Sequence, residues 1–468
     1  MDISAGHFNP SDKATLLEKL NRIAYVRVTW VDYANFVRYR VVPVAHIKKL
    51  LASKRPGVTL TKATLGLVYI QLVPGFGSSG EYLYVFDPNS LRTLGYGSRP
   101  QATMMGWLEE KEPVASPRDE ESKTVIVPLC PRELLRKIVA AAKSTHGIDF
   151  LMGFETEFIL LKSTNPITAV NNYGWSESAA MSAGTVETKA LDEMADALAF
   201  SDIELQMYHA EAAPGQFEIV TGPLPPLEAV DALIVTRETI FNIATKHGLK
   251  ATLAPRVYME NCGSASHVHM SLRSSTPSSP AQVPSAPSLT QLEASFLQGL
   301  LDHLQGVTAF SLPTPSSYAR MVDGVWSGGT WVAWGRDNRE CPVRLCGSTG
   351  DHHFEVKCLD GTANPYLAIS AMLASGMMGV RSASPLVVRD CQALAASLTE
   401  DQRTAIGVTK RMPLNIEEAR DYLKADSALV SAMGEELVEK YLAVNEVLGK
   451  ALEAGTPEEA LRRLVETY

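Results

Sequence analysis

The chain of 468 residues carries 43 Lys plus Arg against 52 Asp plus Glu, a formal charge of −9, with 46% hydrophobic and 20% charged residues. With 32 Gly and 27 Pro, this is the composition of an ordinary globular protein with ample material for a core, which excludes a disordered chain, a collagen-like repeat and a small disulfide scaffold. The acidic balance argues against a nucleic-acid partner, which would have to be met by a basic face.

The first residues, MDISAGHFNPSDKATLLEKL, lack a basic segment followed by an apolar run, so no signal peptide is read there. The longest apolar stretch, Leu367 to Val380, is interrupted by Ser370, Ser375, Gly376 and Gly379. It falls short of the roughly 20 residues that span a bilayer. The six cysteines show no CxxC spacing and read as free thiols. The expected compartment is the cytoplasm, with no membrane partner.

Ile23 to Leu94 reads as short strands and turns. VRVTWVDYANFVRYRVV predicts a hairpin turning near Asp32 to Asn35, and GEYLYVFDP predicts another strand. GFGSSG (75–80) has the composition of a phosphate loop but leads into a strand, so it reads as a turn. EEKEPVASPRDEESK (109–123) is charged, contains proline and lacks apolar periodicity, which predicts a linker. A first domain over 1–115, a linker over 116–130 and a second domain over 131–468 follow.

The second domain opens on a helix, PRELLRKIVAAAKSTHG, with Pro131 in its first turn and Gly147 as its stop. FLMGFETEFILL is a strand, and SDIELQMYHAEAAPGQFEIVTG holds two short ones. PPLEAVDALIVTRETIFNIATKHG is a helix between proline and glycine. The Ser- and Pro-rich segment 271–290 reads as a surface loop. The last 90 or so residues read as helices.

Alternate side chains of a strand face opposite ways. Gly153, Glu155 and Glu157 therefore share one face, and Phe154, Thr156 and Phe158 share the other. A strand with a wet polar face would look the same, but the pattern recurs three times. Gln216 and Glu218 oppose Phe217 and Ile219. His267, His269 and Ser271 oppose Val268, Met270 and Leu272. His353, Glu355 and Lys357 oppose Phe354, Val356 and Cys358, while Glu211 lies just before Glu218. If these faces converge, the unpaired carboxylates repel one another at high cost. Hard divalent ions such as Mg²⁺ or Mn²⁺ resolve the conflict and bridge to phosphates. Arg320, Arg339 and Arg344 supply cationic forks nearby, whereas Arg336 reads as a surface residue.

At GFETEF, HAEAAPGQFE, NCGSASHVHMSL, SSYARM and WGRDNRECPVR…HHFEVKCLDGTANPYLA, the chain resembles the glutamine synthetase family, most closely its fungal FluG-like branch and ligases that join glutamate to larger amines. The resemblance implies an α+β chain, with an N-terminal β-grasp domain and a catalytic domain on a curved antiparallel sheet, a half-barrel flanked by helices. It implies ATP and two or more Mg²⁺ or Mn²⁺ as cofactors. Glu157, Glu211 and Glu218 would hold one ion, and Glu155, His267 and Glu355 the second. Gly263 and Arg320 would meet the amino acid substrate. Arg339 and Arg344 would contact ATP phosphates, and His269 and Ser271 the nucleotide. Asp32, in WVDYAN, matches an acidic residue that a neighbouring subunit contributes in a homo-oligomeric ring.

Four positions depart from the family pattern. Trp326 stands where the family has a proton-accepting Glu, Lys357 and His353 where it has arginines that meet substrate and nucleotide, and Cys262 where it has an asparagine. The implied activity is an ATP-dependent ligase acting through an acyl phosphate, joining glutamate to an organic amine or to ammonia. The alternatives are glutamine synthetase itself and a non-catalytic ring-forming relative. A metal-dependent oxygenase is weaker, because the carboxylates are too many.

Overall fold

The alternation around Glu155 and Glu157 extends into a 17-residue strand, Ile148–Thr164, which organises the larger part of the molecule. The computed structural model describes residues 10–116, 119–175, 177–276, 278–281 and 286–468. The expected surface loop at 271–290 lies partly outside them.

The sheet runs, in spatial order, through Leu205–Ala210, Gln216–Thr221, Ile148–Thr164, Val268–Ser274, His353–Val356, Val343–Cys346 and Trp334–Arg336. Its pairings are antiparallel except the last, where Trp334–Arg336 runs parallel to Val343–Cys346. The path is open, ending on two edge strands. Register places the chemistry: Glu157 lies opposite Glu218, His209 opposite Glu218, and His269 opposite Glu355. A one-residue slip would turn every one of these side chains into the core.

The apolar faces anchor that register. Phe154, Thr156 and Phe158 are fully buried. Phe158, Leu160, Phe217 and Ile219 pack on helices Val186–Phe200 and Pro226–Lys246. Met152, Phe154, Met270 and Phe354 pack on helices Gln291–Ser311 and Pro365–Arg381. Those two helices meet at glycines. A Cβ on Gly379 would sit 2.1 Å from Ser295 O, and one on Gly299 would sit 2.5 Å from Ser375 O. The first helix, Pro131–His146, starts on its proline and stops at Gly147, whose φ of 66° only glycine adopts cheaply.

The N-terminal part holds two four-stranded sheets. Tyr25–Val31 pairs with Val37–Pro43 around the Asp32 turn, as predicted. The second sheet corrects the expected linker. Gly106–Ser116 and Asp119–Ile126 are paired strands, and the first of them also pairs with Glu81–Phe86. Three of the charges that suggested a loop are matched by residues of other segments: Glu109 with Arg55 at 2.7 Å, Glu110 with Lys62 at 2.8 Å, and Lys111 with Glu81 at 2.9 Å. A buried cluster joins this part to the helices behind the large sheet. Arg132 binds Asp231 at 2.7 Å and Asp87 at 2.6 Å and stacks 4.1 Å from the Trp107 ring. No described helix is long and apolar enough to cross a membrane.

Candidate active site

A cavity of about 590 Å³ opens over the polar face of the large sheet. Glu155, Glu157, Glu211, Glu218 and His267 line its floor, and Arg320, Arg339, Lys357 and Gly263 its sides. Sequence reasoning brought these residues together, and they are together. Glu355 lies beside them, with His267 Nδ1 2.9 Å from Glu155 Oε2 and 3.4 Å from Glu355 Oε1.

The grouping within the cluster differs from the expected division. Ligand atoms of Glu155, Glu218 and His267 approach within 4.8 Å of one another, as do those of Glu155, His269 and Glu355, and those of His209, Glu211 and Glu218. Glu157 belongs to none of these triads. Its Oε2 accepts from Gln216 Nε2 at 3.2 Å and from the Ala265 N–H at 3.0 Å, while Oε1 lies 3.9 Å from His267 Nδ1.

The electrostatics describe a site short of positive charge. Burial, then repulsion from Glu218 and Glu211, drives the Glu157 carboxyl well above the usual range. Burial and Glu218 push Glu211 up to about 7. Burial also raises Glu155, but hydrogen bonds from His267 and His269 outweigh it and hold that carboxyl low. Burial and the Lys357 charge pull His267 down to about 4, so its imidazole is neutral and free to ligate. A carboxylate-rich donor set with neutral imidazole fits hard divalent cations, and the uncompensated repulsion is what such ions relieve.

His209 escaped the sequence reading. Its Nε2 lies 3.2 Å from Glu218 Oε1 and its Nδ1 3.6 Å from Glu211 Oε1, and the Glu218 bond raises it to about 9. The signal was available, because His209 precedes Glu211 by the one-residue gap that keeps two side chains on one strand face.

Arg320 is 1% exposed, with its guanidinium donating to Lys357 O at 3.0 Å. Gly263 is required beside it, because a Cβ there would lie 2.3 Å from Pro255 O and 2.4 Å from the Arg320 side chain. Lys357 Nζ donates to Glu355 Oε1 at 3.0 Å, and Arg344 Nε lies 2.6 Å from Glu355 Oε2. The two cations thus hold one carboxylate between them. His269 and His353 face each other with ring centres 5.1 Å apart, and Ser271 lies on the same strand as His269. Arg336 is exposed and donates to Ser288 Oγ at 2.6 Å, in keeping with a surface role.

Asp32 is not brought to the cavity within one chain. It is completely buried. Its Oδ1 accepts from the N–H groups of Ala34 and Phe36 at 3.0 and 2.9 Å, and its Oδ2 pairs with Arg38 at 2.6 Å.

Trp326 lies at the cavity mouth, 48% exposed, with a left-handed φ of 58°. Its ring packs edge-on against Trp175, with centroids 5.3 Å apart. Trp175, 56% exposed, was not singled out from the sequence, because an isolated tryptophan in a loop carries no pattern. Met207, Val220 and Val325 extend this apolar rim. Cys262 also lines the cavity and offers no charge there.

Residues 128–458 match the family described as glutamine synthetase, catalytic domain. Protein fluG of Emericella nidulans is 38% identical over all of this chain, which spans 52% of that protein, about half its length. The gamma-glutamylpolyamine synthetase GlnA3 of Streptomyces coelicolor is 32% identical over 91% of this chain and 89% of its own. A glutamine synthetase of Methanocaldococcus jannaschii is 28% identical over 91% of each. Among solved structures, one described as a novel glutamine synthase homolog superimposes with a TM-score of 0.78 at 26% identity, over 95% of this chain and 99% of that one. The matched residues include every member of the carboxylate–imidazole cluster and the arginines around it, and the chain belongs to the glutamine synthetase family of ATP-dependent ligases.

Proposed function

We propose that the chain joins the γ-carboxylate of glutamate to the nitrogen of an organic amine at the expense of ATP. The reading is carried by the cavity mouth: above the ligand cluster stand the rings of Trp326 and Trp175, and position 326 offers no carboxylate. The name of the Streptomyces relative, a gamma-glutamylpolyamine synthetase, supports a nucleophile larger than ammonia.

In the first step a carboxylate oxygen of glutamate attacks the terminal phosphorus of ATP, ADP leaves, and an acyl phosphate forms. Glu155, Glu157, Glu211, Glu218, His267 and Glu355 would hold two or more Mg²⁺ or Mn²⁺, which supply charge neutralisation for the phosphoryl oxygens when bound. Arg339, exposed at the rim, would add a fork to those oxygens, with Arg344 behind it. His269, Ser271 and His353 would face the nucleotide. Arg320, beside the required Gly263, would pair with the α-carboxylate of glutamate. His209, with Nε2 3.2 Å from Glu218 Oε1, would hold that carboxylate in place beside the ions. Lys357 keeps Glu355 in place from the substrate side.

In the second step the neutral amine nitrogen attacks the acyl carbon, the C–O bond breaks, phosphate leaves, and the nitrogen's proton passes to the departing phosphate or to water at the open cavity. A bare ammonium ion loses hydration beside an indole and gains no carboxylate there. An amine with a carbon skeleton offsets that loss by burying apolar area, at about 25 cal/mol per Å², and by cation–π contact on entry. The test measures phosphate release from ATP and glutamate with ammonia and with a panel of amines, in the wild type and in Trp326→Glu. A higher kcat/KM for an amine, shifting toward ammonia in the variant, supports the reading, and an ordinary preference for ammonia in the wild type refutes it.

We further propose ring assembly, with the Asp32 turn of one subunit beside the cavity of the next. Sedimentation at micromolar concentration tests it, and a fully active monomer would refute it.

A further inference from the structure

The sheet carries a second ligand set of different chemistry from the carboxylates. Cys346 and His353 lie directly opposite each other on the antiparallel pair Val343–Cys346 and His353–Val356. His269 comes from the next strand over, with its ring centre 5.1 Å from that of His353. One ligand atom from each of the three side chains falls within 4.8 Å of the others. Cys346 is 7% exposed, while the two imidazoles are partly open to solvent, so an ion can enter from the cavity side.

We infer that, in the nucleotide-free protein, His269, Cys346 and His353 form a binding site for a borderline-soft divalent cation, Zn²⁺ above all, which borders the carboxylate cluster and shares His269 with the group of Glu155 and Glu355. The donor set decides the ion. Thiolate and imidazole nitrogen select zinc, whereas Mg²⁺ and Mn²⁺ favour oxygen. Tetrahedral zinc, with bonds of about 2.0–2.3 Å, spaces its ligand atoms at roughly 3.5 Å. The observed spread of up to 4.8 Å is wider, and the two half-open imidazoles have room to turn inward. On binding, a Zn–S bond forms and the Cys346 thiol proton passes to solvent.

The surroundings are already arranged for this. His269 Nε2 contacts Glu155 Oε1 at 2.9 Å, the carboxylate–histidine arrangement that orients a ligating ring and raises its basicity. Arg344 donates to Cys346 Sγ at 3.1 Å and partly offsets the burial that raises the thiol, and a bound cation would supply the rest. The Arg344 charge is in turn matched by Glu355 at 2.6 Å, so it repels an incoming cation less than a free guanidinium would. Three protein ligands leave the fourth position open to water.

The experiment titrates the full-length protein with Co²⁺, a spectroscopic stand-in for Zn²⁺, without nucleotide, so that it stands whether or not the proposed ligase activity is correct. One equivalent should produce a thiolate-to-cobalt charge-transfer band in the near ultraviolet, and one equivalent of Zn²⁺ should erase it. Cys346→Ser should abolish the band, and His353→Gln should weaken Co²⁺ binding by about tenfold or more. Near-ultraviolet circular dichroism of each variant establishes that it is folded. Glu157→Gln, which alters only the carboxylate cluster, should keep the band. Co²⁺ binding with no charge-transfer band, or a band that survives Cys346→Ser, would overturn the assignment.

Discussion

The backbone N–H of Trp326 donates to Glu340 Oε1 at 3.0 Å, and the N–H of Gly324 donates to the other oxygen of the same carboxylate at 3.1 Å. Trp326 sits at a left-handed φ of 58°, a conformation that costs a non-glycine residue about 1–2 kcal/mol. Two hydrogen bonds to one carboxylate, each contributing about 0.5–1.5 kcal/mol at this exposure, offset that strain. Glu340 thus holds the tryptophan over the cavity, one residue along from Arg339, which lines the cavity wall.

Replacing Glu340 with Gln keeps one acceptor and loses the charge. The expected result is a rise of about tenfold in KM for the amine, with kcat and the KM for ATP changed by less than about twofold. Steady-state kinetics with each substrate varied in turn checks this. An unchanged amine KM would show that the loop holds its place without the carboxylate.

Trp175 and Trp326 are expected to act as one unit. Trp175→Ala should lower kcat/KM for the preferred amine by about three- to tenfold, in line with an aromatic pair of about 0.5–1.5 kcal/mol. The double variant with Trp326→Ala should lose less than the product of the two single losses. Multiplicative losses would mean that the rings act separately.

Glu157→Gln should reduce ATP turnover by at least about 10²–10³-fold, the scale of losing one preorganised electrostatic group. It should not unfold the protein, because the amide oxygen can still accept from Ala265 and one carboxylate leaves a crowded cluster. The metal-free melting temperature should therefore stay level or rise, while the stabilisation gained on adding magnesium should shrink. Melting curves with and without magnesium read both effects, and unchanged turnover would remove Glu157 from the site.

Arg132 supports the joint between the N-terminal sheets and the helices of the large sheet. Arg132→Met would leave Asp231 and Asp87 buried without a cation, held among the described residues only by Tyr366 and the Asn89 N–H, with an expected loss of about 3–5 kcal/mol in urea unfolding. A loss under about 1 kcal/mol would show that the cluster contributes little.

Much of this was legible in the sequence wherever a simple period carried it. Glu155, Glu157, Glu218 and Glu355 stood out because strands buried on one face must alternate, and the helix from Pro131 to Gly147 announced both its ends. The hairpin of Gly106–Ser116 and Asp119–Ile126 was not legible. Three of its charges, Glu109, Glu110 and Lys111, are matched by Arg55, Lys62 and Glu81 from other segments, and such pairing leaves no apolar alternation to read. The local burial of Asp32 was hidden for a related reason, since Arg38 reaches it only once the hairpin has formed. Glu340 and Trp175 lie in loops, where contacts depend on the whole fold. The triad of His269, Cys346 and His353 depends on the register of three strands, which no single segment encodes.

The proposed reaction at this site makes an amide from an amine larger than ammonia. The most direct measurement incubates the protein with ATP, magnesium, glutamate and an amine mixed with an equal concentration of ammonia, and quantifies both γ-glutamyl products by mass spectrometry alongside phosphate release. The expected result is phosphate release dependent on glutamate and nucleophile, with the γ-glutamyl amide of at least one amine exceeding glutamine by tenfold or more. Glutamine as the dominant product against every amine, or no nucleophile-dependent phosphate release at all, would contradict it.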